Sequence, residues 1–298
     1  MRSRLSTALR LARASSLPIV ASNVLAAIAL AGGKPPASGS TTRGADAFPA
    51  MSTVALAGGA MIAMFVAGCL LDDAFDRELD REHHPDRPIP AGEVRASLVF
   101  DLGFALLGAG VALVAAAAVA TGAGVKPIVA ALALATLIVR YAASHHGSRW
   151  APVVLGLCRA GVYTTVALLV RPDLCAEVVV GATLAAAYLI ALAWAARVRE
   201  LAELPSAWPL ALLALPFVLA RPDGPAAPAV YAGFFVWVLR ALLQLRGGRV
   251  RDAIGALTAG MALLDALLAA NLGRIELAVA SIACFLVTIA LQAVLPAA

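Results

Sequence analysis

Charge is scarce in this chain. Only 14% of its 298 residues are Asp, Glu, Lys or Arg, where a soluble globular domain carries about 25%, so a water-soluble fold is the first class to fall. Lysine is nearly absent: Lys34 and Lys126 are the two, and arginine fills every other cationic position. The four cysteines, Cys69, Cys158, Cys175 and Cys284, are scattered and show no CxxC spacing, which points away from both a zinc cluster and a disulfide framework. Aromatic residues make up just 6%. A pI near 9.4 would suggest nucleic acid in a soluble chain, but the mean hydropathy here is +0.89. The excess cation therefore reads as the positive charge that collects on cytoplasmic loops, and no nucleic-acid partner is expected.

What the chain has in quantity is apolar sequence. A bilayer core about 30 Å thick takes about 20 apolar residues per helix. Candidate runs fall at 16–32, 51–71, 96–121, 125–143, 151–170, 176–197, 207–220, 228–245, 252–272 and 276–296. The expected fold class is an all-α polytopic membrane protein of nine to ten transmembrane helices, a single domain over 1–298. The count turns on the seventh run, which is short and bounded by proline. With the N-terminus inside and ten spans, 16 Lys/Arg fall on inside segments and 6 outside. That split predicts cytoplasmic termini and cytoplasmic charged loops in a cell (inner) membrane. Arginines 2, 4, 10 and 13 recur in an amphipathic pattern, so residues 1–15 read as an interfacial cytoplasmic helix, not a cleaved signal.

Against this background, "LDDAFDRELDREHHPDRPIPAG" at 71–92 carries seven carboxylates. Asp72, Asp76 and Asp80 are spaced i, i+4, i+8, and Asp73 borders the same stripe. If the second span continues as a helix, their Cβ atoms stand about 5–6 Å apart. Like charges at that spacing destabilise a helix, and an acid drawn toward the bilayer centre costs on the order of 3 kcal/mol. Such a row needs a compensating cation. Arg77 and Arg81 follow Asp76 and Asp80 by one residue and so point off the stripe. Mg²⁺ fits better, because it is held by one or two carboxylates plus phosphate oxygens. Arg87 and Arg149 are placed to take the remaining phosphate oxygens.

"DDAFDRELD" followed by "RPIPAG" resembles the first signature of the UbiA superfamily of intramembrane prenyltransferases, NDxxDxxxD with a following RPxxSG loop. Asp72 falls on the family's asparagine, and Asp73, Asp76 and Asp80 on its aspartates; Arg87, Pro88 and Gly92 fall on the loop, with Ala91 in place of serine. The resemblance implies a helical bundle around a central cavity and Mg²⁺ as cofactor. It implies an isoprenyl diphosphate as one partner and an aromatic or other lipid-soluble acceptor as the second, all within membrane lipid. "LGLCRAGVY" at 155–163 and "GMALLDALLAANLG" at 260–273 look like the EboC-like subgroup.

The chain departs from the family at its second aspartate signature, where "ALAWAARVRELAELP" offers only Glu200 and Glu203. These either ligate a second metal or form salt bridges with Arg197 and Arg199. Tyr141 and Arg149 are candidate diphosphate contacts. His145 and His146, like His83 and His84, are metal ligands or bases only if adjacent side chains can share a face, which a helix forbids. Arg159 sits deep in a span, where a charge is functional or paired: it faces the cavity, or it pairs with Asp265. Asn23 lines the cavity or joins helices by a hydrogen bond. Tyr163, Tyr188 and Phe104 are candidates to stabilise an allylic cation. A rival to the transferase is a non-catalytic binding or transport protein for a hydrophobic metabolite on the same fold.

Overall fold

The computed structural model describes residues 4–33, 49–146, 148–197 and 208–295. Among these the chain is entirely helical: α1 Arg4–Leu11, α2 Leu17–Gly32, α3 Met51–Phe75, α4 Arg77–His83, α5 Ala96–Thr121, α6 Lys126–Ser144, α7 Ala151–Val170, α8 Ala176–Arg197, α9 Leu215–Leu219, α10 Ala227–Arg246, α11 Val250–Asn271 and α12 Ile275–Val294. Nine segments among the described residues are long and apolar enough to cross a bilayer. Helices suit that setting because each satisfies its own backbone polar groups where no water can. Prolines open α2, α6, α7 and α10 at the first turn, where the missing N–H costs nothing.

The seventh run behaves differently. Trp208–Ala214 is a 3-10 stretch leading into α9, and the two together rise about 20 Å, short of a bilayer. Pro209 and Pro216 remove donors that a regular helix would need. The chain nevertheless changes sides here. The C-terminal end of α8 lies on the face that carries Asp72, since Arg197 donates to the carbonyls of Ser148 and His145, and His145 touches Asp72. The other face is marked by Arg274, which donates to Gly32 and Gly33 carbonyls, and by Arg171, which donates to Ala31. Asp223 N–H donates to Asn271 Oδ1 on that second face. Between Arg197 and Asp223 the chain has therefore crossed, which brings α1 and the end of α12 to one side.

Helices α2 and α11 are the most enclosed. Around α2 pack α7, α11, α12 and α3, while α3 lies along α5 and α7 along α8. The α7–α8 contact is close at Gly156, where a Cβ would stand 2.9 Å from the Ala186 carbonyl oxygen and 2.6 Å from Ile190. Small residues at such crossings let helix backbones approach, which is how helices associate when lipid is as apolar as their side chains. The outward faces carry Phe104, Leu132, Val236 and Leu286 exposed, as a lipid-facing surface requires. Phe104 therefore cannot help to enclose an internal cation.

Candidate active site

The acidic stretch begins inside the bundle and ends outside it. Helix α3 carries Asp72 and Asp73 in its last turn and stops at Phe75, and α4 restarts at Arg77. The junction does not break the register. Asp76 N–H donates to the Asp72 carbonyl, and Asp80 N–H to the Asp76 carbonyl, so the i, i+4, i+8 stripe runs through it. Asp72, Asp76 and Asp80 are buried at 7%, 7% and 3% exposure. Arg77 turns to the Ala74 carbonyl and Arg81 to Glu78 at 2.8 Å, off the stripe.

Each buried acid has a cationic or imidazole partner of its own. Arg13 Nη2 donates to Asp72 Oδ2 at 2.6 Å and lies 3.5 Å from Asp73. Arg87 Nη1 donates to both oxygens of Asp80 at 2.8 Å. His146 Nε2 lies 2.7 Å from Asp76 Oδ1, and His145 Nε2 3.3 Å from Asp76 Oδ2. Burial works against the charged form of Asp76, but hydrogen bonds from His145 and His146 outweigh it and hold the carboxyl below its usual range. His145 is the mirror case: burial disfavours its charge, yet the Asp76 hydrogen bond and the nearby Asp72 charge raise it.

The partners arrive from three places. Arg13 sits in the turn between α1 and α2 with φ 43, a left-handed backbone and the one positive-φ non-glycine among the described residues. Such a conformation costs on the order of 1–3 kcal/mol, and it directs the guanidinium back over the end of α3. Arg87 opens the "RPIPAG" loop, a run of turns closed by Ala91 N–H on the Arg87 carbonyl and Gly92 N–H on Ile89. Gly92 has φ 73, which explains a glycine there. The histidines follow the last residue of α6, Ser144. The expectation that adjacent histidines point apart holds within a helix; α6 has ended, and both rings meet Asp76. Tyr141 stacks on His145 with centroids 4.9 Å apart.

Asp72 Oδ1 is buried and accepts no hydrogen bond, and carboxylate oxygens are the ligands that magnesium, a hard cation, takes. Asp72 Oδ1, with the Asp73 carboxylate beside it on the same Arg13 nitrogen, fits that ion, whereas both Asp80 oxygens are taken by Arg87.

A family model described as the UbiA prenyltransferase family matches residues 20–249. The chain belongs to that family. A protoheme IX farnesyltransferase of Geobacter sulfurreducens is 37% identical over 98 residues, 32% of this chain and 34% of that protein, so the chain spans about a third of that relative in the match. A structure from a study of digeranylgeranylglyceryl phosphate synthase aligns over 91% of this chain and 99% of its own, with TM-score 0.58 and 14% identity. A UbiA homologue from Archaeoglobus fulgidus bound to GPP and Mg²⁺ aligns over 96% and 99%, with TM-score 0.53 and 13% identity. Its DMAPP and Mg²⁺ complex aligns over 97% and 99%, with TM-score 0.54 and 14% identity. At these identities the likeness is one of fold, a multi-pass helical membrane bundle of UbiA type.

Not every residue singled out in the UbiA-type reading joins this site. Arg149 is exposed and lies over the Trp150 ring, 5.6 Å from its centroid, and makes no ion pair with the stripe. Arg159 and Asn23 belong to a second buried polar group deep in the bundle. Asp265 accepts from Ser22 Oγ and Asn23 Nδ2 at 2.6 Å each and from the Tyr163 hydroxyl, with Arg159 Nη2 at 3.6 Å. The pairing alternative for Arg159, and helix joining for Asn23, are thus the arrangements present. Tyr188 donates to the Leu257 carbonyl, and Trp237 to Ala256. His83 and His84 are exposed. Glu200 and Glu203 lie outside the described residues. Arg13 was legible only as a topology charge, since nothing near it in the chain signals an acid partner, and Arg197 as a topology charge or an ion-pair partner of Glu200 and Glu203.

Proposed function

We propose that this chain transfers an isoprenyl group from an isoprenyl diphosphate to an aromatic or other lipid-soluble acceptor within the membrane, with Mg²⁺ as cofactor. The observation that carries the reading is the buried stripe of Asp72, Asp76 and Asp80 at one mouth of the bundle, with Arg13 and Arg87 beside it. Family membership supports it, as do A. fulgidus relatives bound to GPP or DMAPP with Mg²⁺. Asp72, Asp73, Asp76 and Asp80 form the catalytic acidic set. Magnesium bound at Asp72 and Asp73 would supply positive charge that neutralises the diphosphate as it departs.

The chain's own groups do the rest. Arg13 and Arg87 release their carboxylates and donate to phosphate oxygens, and guanidinium–phosphate pairs of this kind are bidentate and strong. Their side chains are 40% and 25% exposed, so each can turn toward an incoming group without leaving the protein. As the bond between the isoprenyl C1 and the diphosphate oxygen breaks, negative charge grows on the diphosphate. Fixed cations at that point lower the barrier most. The allylic cation then alkylates the acceptor, which loses a proton, while the bundle keeps water away. Tyr141 holds His145 in place, and Arg149 serves only the approach of the anion. The Arg159–Asn23–Asp265 group lines or braces the interior that receives the chain.

In this reading the stripe and both termini face the cytoplasm of the cell membrane, the whole of 1–298 is one domain, and within the family the chain sits nearest the EboC-like subgroup. A binding protein for a hydrophobic metabolite is the second reading, favoured by the lack of an aspartate pair near Glu200 and Glu203. Titration of geranyl diphosphate into purified protein with and without Mg²⁺ tests the proposal. Binding should need magnesium and weaken at least about tenfold in Asp73→Asn, a change at the first of the family's aspartate positions and the size of loss that even outer-shell changes produce at metal sites. Binding that ignores both magnesium and Asp73 would end the transferase reading.

A further inference from the structure

The two histidines at Asp76 form a donor set that magnesium does not ask for. One ligand atom each from Asp76, His145 and His146 lies within 4.8 Å of the other two, and the imidazole centroids are 4.0 Å apart. Magnesium is an oxygen-seeking ion, whereas imidazole nitrogen joined to a carboxylate selects the zinc-like transition ions.

His145 Nδ1 and Asp72 Oδ1 are 3.4 Å apart. Both atoms are buried and neither makes a hydrogen bond, although buried polar atoms are nearly always paired. His145 thus turns Nε2 to Asp76 and Nδ1 to Asp72, so a cation on Nε2 leaves Nδ1–H facing a carboxylate, the arrangement that orients a metal-bound imidazole. The rings are also held ready. Tyr141 stacks on His145 at an interplanar angle of 16°, and Arg197 donates to the His145 and Ser148 carbonyls at 3.2 and 2.9 Å, fixing the turn after α6. Preorganised ligands of this kind strengthen a metal site.

We propose that Asp76, His145 and His146 bind a divalent transition-metal ion of the zinc or cobalt class at the mouth of the bundle, distinct in chemistry from magnesium at Asp72 and Asp73. It adjoins the diphosphate site proposed above but does not need that reading to be correct. Three protein ligands leave the remaining position to water or to a phosphate oxygen. The competing account is that the histidines are imidazolium counter-ions of Asp76 and bind nothing.

Cobalt separates the two. Full-length protein in detergent, free of any polyhistidine tag and stripped with chelator, is titrated with Co²⁺ alone while the visible d–d absorption and the metal content per chain are read. One Co²⁺ per chain with visible bands is expected. His146→Ala should weaken binding by more than about 100-fold, beyond the roughly 10- to 100-fold that outer-shell losses cost, and His145→Ala likewise. His146 is half-exposed, so its removal leaves the fold intact, and a thermal melt checks this. Asp80→Asn, which loses the Arg87 pair and not a ligand of this set, should keep the bands. No bands in the native protein, or bands that survive both histidine substitutions, would overturn the proposal. Magnesium-dependent diphosphate binding without cobalt bands would discard this site alone. Cobalt bands without diphosphate binding would discard the transferase reading alone.

Discussion

Removing Arg13 should change two affinities in opposite directions. Its guanidinium donates to Asp72 Oδ2 at 2.6 Å and lies 3.5 Å from Asp73, so it occupies an oxygen that a bound magnesium would take. A hydrogen bond to a charged partner contributes about 1.5–3 kcal/mol. The Arg13 side chain is 40% exposed, and solvent brings a pair of that kind toward about 1 kcal/mol. Freed of that competition, Asp72 in Arg13→Ala should bind Mg²⁺ about fivefold more tightly, at 1.4 kcal/mol per tenfold. The diphosphate loses a guanidinium contact in the same variant and should bind about 10- to 100-fold more weakly. Arg13→Lys keeps the charge without the planar fork and should fall between. Calorimetric titration of Mg²⁺ and of geranyl diphosphate, each alone and then together, reads both numbers, with a thermal melt to show the fold is intact. If both affinities fall together, or neither moves, Arg13 is a strut and the exchange of carboxylate for phosphate is wrong.

Two further perturbations test the architecture. Asp265→Asn leaves Arg159 as a buried charge without its counter-ion, which should cost roughly 3–5 kcal/mol of stability; adding Arg159→Met should recover most of it, and denaturation of the detergent-solubilised pair of variants would expose an additive result that refutes the pairing. Gly156→Leu forces a side chain into the Ala186 carbonyl, 2.9 Å from even a Cβ, and should cost at least 1–3 kcal/mol as overpacking does; an unchanged melting temperature would mean α7 and α8 are less tightly apposed than described.

The spans were legible because transfer free energy is local. A run of about 20 apolar residues predicts a crossing whatever surrounds it. The short seventh run was legible too, as a length and two prolines, and the charge split over ten spans already has the chain crossing there. The acid stripe was legible for the same reason: i, i+4, i+8 is a property of one helix, and the backbone bonds from Asp80 to Asp76 to Asp72 carry it across the α3–α4 junction. The histidines were misjudged where a helix rule was extended past the end of its helix.

Which cation answers which acid was settled only by the fold. Arg13 meets Asp72 across 59 residues, and Asn23 and Tyr163 meet Asp265 across 242 and 102. Periodicity says which residues share a face of their own helix, and the chain alone carries that information. It does not say how far each helix is rotated about its axis or which neighbour it faces. Those depend on side-chain packing between α2, α3, α7 and α11, a sum of many small contacts made only once the bundle has closed. The acid stripe is therefore a fact of sequence, while the arginines and imidazoles gathered on it are a fact of tertiary structure.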